Sequence, residues 1–246
     1  MSRLSGLLAV YRRELSGYFA TPVAYVFVAV FLLALGAFTF QIGRYLDTGR
    51  VDLAPFFVFH PWLYVVFMPA LAMRLWADEL RAGTFDLLMA LPVRLSDLVL
   101  GKFLAAWTVA AFALALTLPM WLTANVLGKP DNSAILLSYA ISLLMAGGYI
   151  AIGAAFSSLS NNQVVAFVLA TAIAFVFTAA GLPLVASAVR DAFGAGAGAL
   201  IAQFSTLGQF EAAQRGVLEL RAIAYFGLLI GAFLTLNGVW VAGRRG

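Results

Sequence analysis

The sequence has no cysteine, a single histidine and little charge. Without cysteine there is no disulfide framework, no thiolate metal site and no cysteine nucleophile. The lone His60 excludes any site built on two imidazoles, and no metal ligand set is expected. Charged residues make up 11% of the 246 positions, against about 25% in an ordinary soluble domain. Hydrophobic residues make up 63% and the mean hydropathy is +0.98. So much apolar surface does not fit inside one globule of this length, and lipid is its natural solvent. A soluble enzyme, a disordered chain and a nucleic-acid-binding domain are excluded. The net charge of +4 is too small and scattered for a phosphate-binding patch and reads as the positive bias of cytoplasmic loops.

What is present is a run of long apolar stretches. Six can cross a hydrocarbon layer of about 20 residues, over residues 22–42, 56–75, 98–123, 134–156, 164–185 and 222–241. Residues 1–21 do not read as a signal peptide, because Arg3, Arg12, Arg13 and Glu14 interrupt them. Their apolar residues, from Leu4 and Leu7 to Tyr18 and Phe19, form one stripe of a helix expected to lie in the membrane interface. With the N-terminus inside, Arg3, Arg12, Arg13, Arg74, Arg81, Arg94, Lys102, Arg244 and Arg245 are cytoplasmic. Arg44, Arg50, Lys129, Arg190, Arg215 and Arg221 are then outside. Six crossings with both termini cytoplasmic agree with that balance. The expected fold is an all-α membrane protein. Mid-span positions hold no Asp, Glu, Arg or His, which argues against a proton-coupled transporter and an intramembrane enzyme.

The most informative loop is ADELRAGTFDLLMALPVRLSDLVLGKF, residues 77–103. A short amphipathic helix is expected from about Thr84 to Ala90, with Phe85, Leu87, Leu88 and Met89 as an exposed apolar patch that wants a partner. Ser96 is a plausible cap for the next helix. Gly147, Ala151 and Ala155 lie one turn apart and suit close helix packing, within or between subunits. The turn SSLSNNQ at 157–163 offers Asn161, Asn162 and Gln163 as caps. His60 is expected as a satisfied interfacial side chain, with Trp62, Tyr64 and Trp121 in the aromatic belts. Residues 186–221 include a glycine-rich stretch too short to span. Gln209, Glu211 and Arg215 on its polar side are candidates for an outer gate or a dock. No phosphate-cradling loop exists. The pairs Gly101-Lys102 and Gly128-Lys129 lack the preceding glycine and the closing hydroxyl.

Four stretches in order resemble the permease subunits of type-2 ATP-binding-cassette (ABC) transporters, and within them the gliding-motility-associated group. They are YRRELSGYFATPVAYVFVAVFLLALGAF, the 77–103 loop continuing through LVLGKFLA, YAISLLMAGGYIAIGAAFSSLSNNQVVAFVLA, and RGVLELRAIAYF. The resemblance implies a six-span permease domain over 22–246, preceded by the interfacial helix at 1–21, in a bacterial inner membrane. It implies a cytoplasmic coupling helix that docks on a separate ATPase subunit, which maps onto Glu79, Arg81, Thr84, Phe85, Leu87, Leu88 and Pro92. Arg12, Arg13 and Glu14 of the first helix flank that ATPase. It also implies two ATPase copies that hold ATP and Mg²⁺, a second permease copy or paralogue, export as the direction, and an accessory membrane protein with an extracytoplasmic domain. This chain then has no catalytic residue, cofactor or nucleic-acid partner of its own. A non-transporting scaffold that anchors an ATPase shares all these features. An intramembrane enzyme is the remaining reading.

Overall fold

The computed structural model describes residues 3–47, 49 and 51–244, with side chains from residue 6 onward. Arg50 and Arg245 of the basic balance, and the side chains of Arg3 and Leu4, lie outside the described residues. Every regular element among the described residues is helical. Helix α1 (Arg3–Phe19) precedes α2 (Pro22–Ala37), which continues through a π-helical turn at Phe38–Ile42. Pro22 suits a first helical turn, where no amide partner is lost. Apolar on all sides, Pro22–Ile42 is long enough to cross a membrane.

The second apolar helix is longer than the sequence suggests. It is built from α3 (Ala54–Phe57), α4 (His60–Ala72) and α5 (Arg74–Ala82), and runs Ala54–Ala82. The charged segment after Leu75 is therefore helix, not loop. Gly83, at φ 68°, ends it in the left-handed conformation that glycine adopts without a Cβ penalty, and the Thr84 amide returns to the Glu79 carbonyl at 3.0 Å. One turn, α6 (Phe85–Met89), follows. Then α7 (Leu95–Ala115) and α8 (Leu118–Leu127) make the third apolar run, with Pro119 in the first turn of α8. Arg94, not Ser96, is the residue before α7. It is extended, and Ser96 is already inside the helix, facing Asp97.

Helix α9 (Asn132–Ser157) is the centre of the molecule, packed by α4, α7, α10 (Gln163–Ala179), α13 (Thr206–Gln214) and α14 (Leu220–Gly243). Its sequence explains this position. Gly147, Gly148, Ala151, Gly153, Ala154 and Ala155 let neighbours approach its backbone. A Cβ on Gly153 would lie 2.6 Å from Ala72 Cβ, and one on Gly148 2.7 Å from Leu229 Cδ2. The fifth apolar run is not the straight 164–185 crossing expected. It ends at Ala179, bends by 81°, and continues as α11 (Pro183–Phe193). Gly181 sits at the bend against the Ser205 side chain, and Pro183 starts the new helix. Helix α12 (Ala195–Gln203) folds back on α11, Gly198 allowing contact with Arg190. Among the described residues five helices are thus long and apolar enough to cross a membrane, and six if the bent pair counts as one.

Both described ends of the chain lie at one end of this bundle. Arg244 donates to the Leu159 carbonyl at 2.6 Å, Gln163 bonds Asp78 on α5, and α5 meets α1.

Candidate functional site

The charged end is organised around a lysine. Val10 of α1 lies on Gly101 of α7, where a Cβ would come within 2.7 Å of Val10 Cγ1, so the two helices are in backbone contact. Tyr11 and Thr108 share a hydroxyl hydrogen bond of 3.1 Å on the same seam. The apolar stripe of α1 is therefore turned against α7. One residue along, Lys102 is 1% exposed, and its Nζ donates to Glu14 Oε1 of α1 at 2.9 Å and to Glu79 Oε1 of α5 at 2.5 Å. It also lies 5.2 Å from the Trp76 ring centroid. A buried ammonium is tolerable only when paired and hydrogen-bonded in this way.

Further contacts fix α5. Tyr18 donates to the Leu71 carbonyl at 2.9 Å, and the Arg74 guanidinium lies 5.0 Å over the Tyr18 ring and 3.7 Å from Asp78. Ser157, at the end of α9, accepts from the Trp76 and Ala77 amides at 3.0 and 3.1 Å and donates to the Met73 carbonyl at 2.7 Å. Asn162 caps α10 through the Val164 amide at 2.9 Å. A crevice of about 170 Å³ opens between α1 and α5, lined by Arg13, Glu14, Tyr18, Arg74, Asp78 and Glu79.

The residues expected to couple to a partner divide into three groups. Glu14 and Glu79 are brought together, through Lys102, which the sequence alone places only among the cytoplasmic basic residues. The signal for it was a single lysine in an otherwise apolar helix, with carboxylates in both charged segments. Arg12, Arg13, Arg81, Thr84, Leu87 and Pro92 are exposed. Phe85 and Leu88 are a correction. They are 6% and 4% exposed, with Phe85 6.3 Å from the Trp76 ring, so they hold α6 onto the bundle. Leu87, 70% exposed, and Leu91 form the outward apolar face, and Met89 is half-buried.

The other candidates lie elsewhere. Gly147, Ala151 and Ala155 are buried along α9, Gly147 beside Trp107 and Ile230. Tyr64 is not in a belt: it is buried and shares a 2.9 Å hydrogen bond with Ser142. His60 is fully buried rather than interfacial. Its Nδ1 is 3.1 Å from the Phe56 carbonyl, while Nε2 has no hydrogen-bond partner among the described residues. At the opposite end of the bundle, Asp131 caps α9 and a cleft of about 280 Å³ is lined by Asp52, Phe57, Asp131, Ser138 and Arg215. The Ser133 hydroxyl, and after it the Ala134 amide, hold the Asp131 carboxyl below the ordinary aspartate range. Glu211 and Arg215 are exposed there. Gln209 is a further correction: it is buried, and donates to the Gln203 carbonyl at 3.1 Å, tying α13 to the segment before it.

The family model described as ABC-2 family transporter protein matches residues 8–226, from the second turn of α1 to the first turns of α14, and so includes Glu14, Glu79 and Lys102. No curated protein matches the chain.

Proposed function

The chain belongs to the ABC-2 family of transporter proteins, and from that membership we propose that it is the permease subunit of an exporter driven by a separate ATPase. It is a membrane protein of several apolar helices. The finer assignment is to the gliding-motility-associated group, in a bacterial inner membrane with both termini cytoplasmic. Two ATPase subunits hold ATP and Mg²⁺, this chain holds no cofactor, and a second permease copy or paralogue completes the path. An accessory protein with an extracytoplasmic domain docks at the end carrying Glu211 and Arg215.

The observation that carries this reading is the charged end itself. There α6 packs on α5 and leaves Leu87 and Leu91, flanked by Arg81 and Asp86, exposed, while Arg12 and Arg13 of α1 are exposed as well. Apolar side chains ringed by charge suit a groove on a partner, the apolar part giving affinity and the charges register. ATP closes the ATPase pair, α6 is carried with it, and the motion passes through α5 into the bundle. Leu87→Asp tests this. Co-purification with the ATPase falls at least tenfold while the chain still inserts in membranes. Undiminished co-purification removes α6 as the docking element.

A further inference from the structure

The charged end brings together two groups of helices, and Lys102 lies where they meet. One unit is α1 with α7, joined by the Val10–Gly101 contact and the Tyr11–Thr108 hydrogen bond. The other is α5, pinned to the end of α9 by Ser157 and to the start of α10 by the Asp78–Gln163 bond. Lys102 belongs to the first unit and bonds Glu14 within it. Its bond to Glu79 crosses to the second, beside the contact of the Arg74 guanidinium with the Tyr18 ring.

We propose that Lys102 is a positioning residue that transmits motion between these units: Glu79 is released and recaptured as α5 moves, while Glu14 stays bound. Two features suit it to this task. Lys102 keeps a carboxylate partner when Glu79 leaves, so its buried ammonium is never stranded. Glu79 lines the crevice that also holds Arg13 and Arg74 with Glu14 and Asp78, so the departing carboxylate stays in an open, charged crevice and does not enter lipid. Glu79 Oε2 is already buried without a hydrogen-bond partner among the described residues, half of a carboxylate that the present arrangement leaves unsatisfied. Here one ammonium bridges carboxylates 88 and 23 residues away in the chain, one on each unit.

This rests on the reading of the chain as an ATPase-driven permease subunit, and the test separates the two. The chain lacks cysteine, so spin labels can be placed at will on the full chain, assembled with its ATPase in lipid nanodiscs. Ala9 on α1, Ala82 on α5 and Ser96 on α7 are exposed sites outside the cluster. On ATP trapping, the 82–96 distance shifts and the 9–96 distance does not. Glu79→Gln and Lys102→Met abolish the 82–96 shift while the ATPase still binds. Lys102→Arg restores it, which distinguishes charge transmission from simple packing. If Lys102→Met fails to assemble, Glu79→Gln alone decides the matter. An unchanged shift in Glu79→Gln, or a 9–96 change as large as the 82–96 change, overturns the proposal and leaves the permease reading intact. A wild-type chain that binds no ATPase removes both.

Discussion

At the residue scale, Lys102 shows how far chemistry can be read without contacts. The sequence puts Glu14, Glu79 and Lys102 near membrane edges. It does not show that they meet, because the pairing depends on how three helices pack. Taking Lys102 away leaves two acids in a nearly dry site. Removal of one partner of a buried pair costs about 3–5 kcal/mol, so Lys102→Ala is expected to lower thermal stability in detergent by that order. Replacing all three together (Lys102→Met, Glu14→Gln, Glu79→Gln) recovers most of the loss, because no charge is then stranded. A triple variant as unstable as the single one shows that the lysine's packing, and not its pairing, was at stake. The burial of Phe85 and Leu88, expected as exposed, was legible in the spacing. Residues three apart share a helix face, and Leu87 lies on another, so the spacing already separates inward from outward side chains. Asp at Phe85 or Leu88 buries an unpaired charge and is expected to cut the yield of folded protein. Leu87→Asp leaves that yield unchanged, as monodispersity on size exclusion checks.

At the scale of elements, α9 determines the packing. Its small residues were legible as a stripe at Gly147, Ala151 and Ala155. The tightest fit on α9 instead falls at Gly153, where an added Cβ would lie 2.6 Å from Ala72 Cβ and 3.3 Å from Pro69 Cα, because α4 crosses there and nothing in the local pattern says so. Pro69 backbone yields less readily than a side-chain tip, so Gly153→Val is expected to cost about 1–3 kcal/mol through overpacking. Gly227→Ala on α14, with nothing within 4 Å of its added Cβ, serves as the control and leaves the thermal midpoint unchanged or raised. The bend after Ala179 was written in Gly181 and Pro183, yet the apolar run through Val185 masks it, since hydropathy does not report direction. The α9 cap gives a pH dependence with a definite sign. The carboxyl of Asp131 has its pKa lowered in the folded state by the Ser133 hydroxyl and the Ala134 amide. Its contribution is present above the unfolded-state pKa and is lost as pH falls through the folded one. Wild-type midpoints drop on acidification through and below the ordinary aspartate range, and Asp131→Asn, which keeps an acceptor for the amides, shows a smaller drop. Equal slopes for the two proteins remove Asp131 from the account.

At the scale of the molecule, the surface divides by solvent. Leu33 on α2, Val176 on α10, and Leu228 and Val239 on α14 are all more than half exposed, on helices that are apolar along their length. In water such a surface drives aggregation; around a bundle in a bilayer it is the face toward lipid. The number of long helices was legible for that reason: length and hydropathy are local properties. Which loops share an end is not local, and follows from Arg244 on Leu159, Gln163 on Asp78 and Lys102 on Glu14. Those contacts place the start of α1 and the end of α14 together, so an even number of crossings must separate them. The bent run of α10 and α11 is therefore expected to count as one passage through the bilayer. Single cysteines in this cysteine-free chain check it with a membrane-impermeant maleimide. Ala9→Cys, Ala82→Cys and Ala242→Cys are expected to react only in inside-out vesicles. Lys129→Cys and Glu211→Cys react only in intact cells stripped of their outer barrier. Reaction of Ala242→Cys from the side opposite Ala82→Cys leaves five crossings. The charged end then loses its C-terminal contact, and a partner that grips α6 no longer shares a compartment with both ends of the chain.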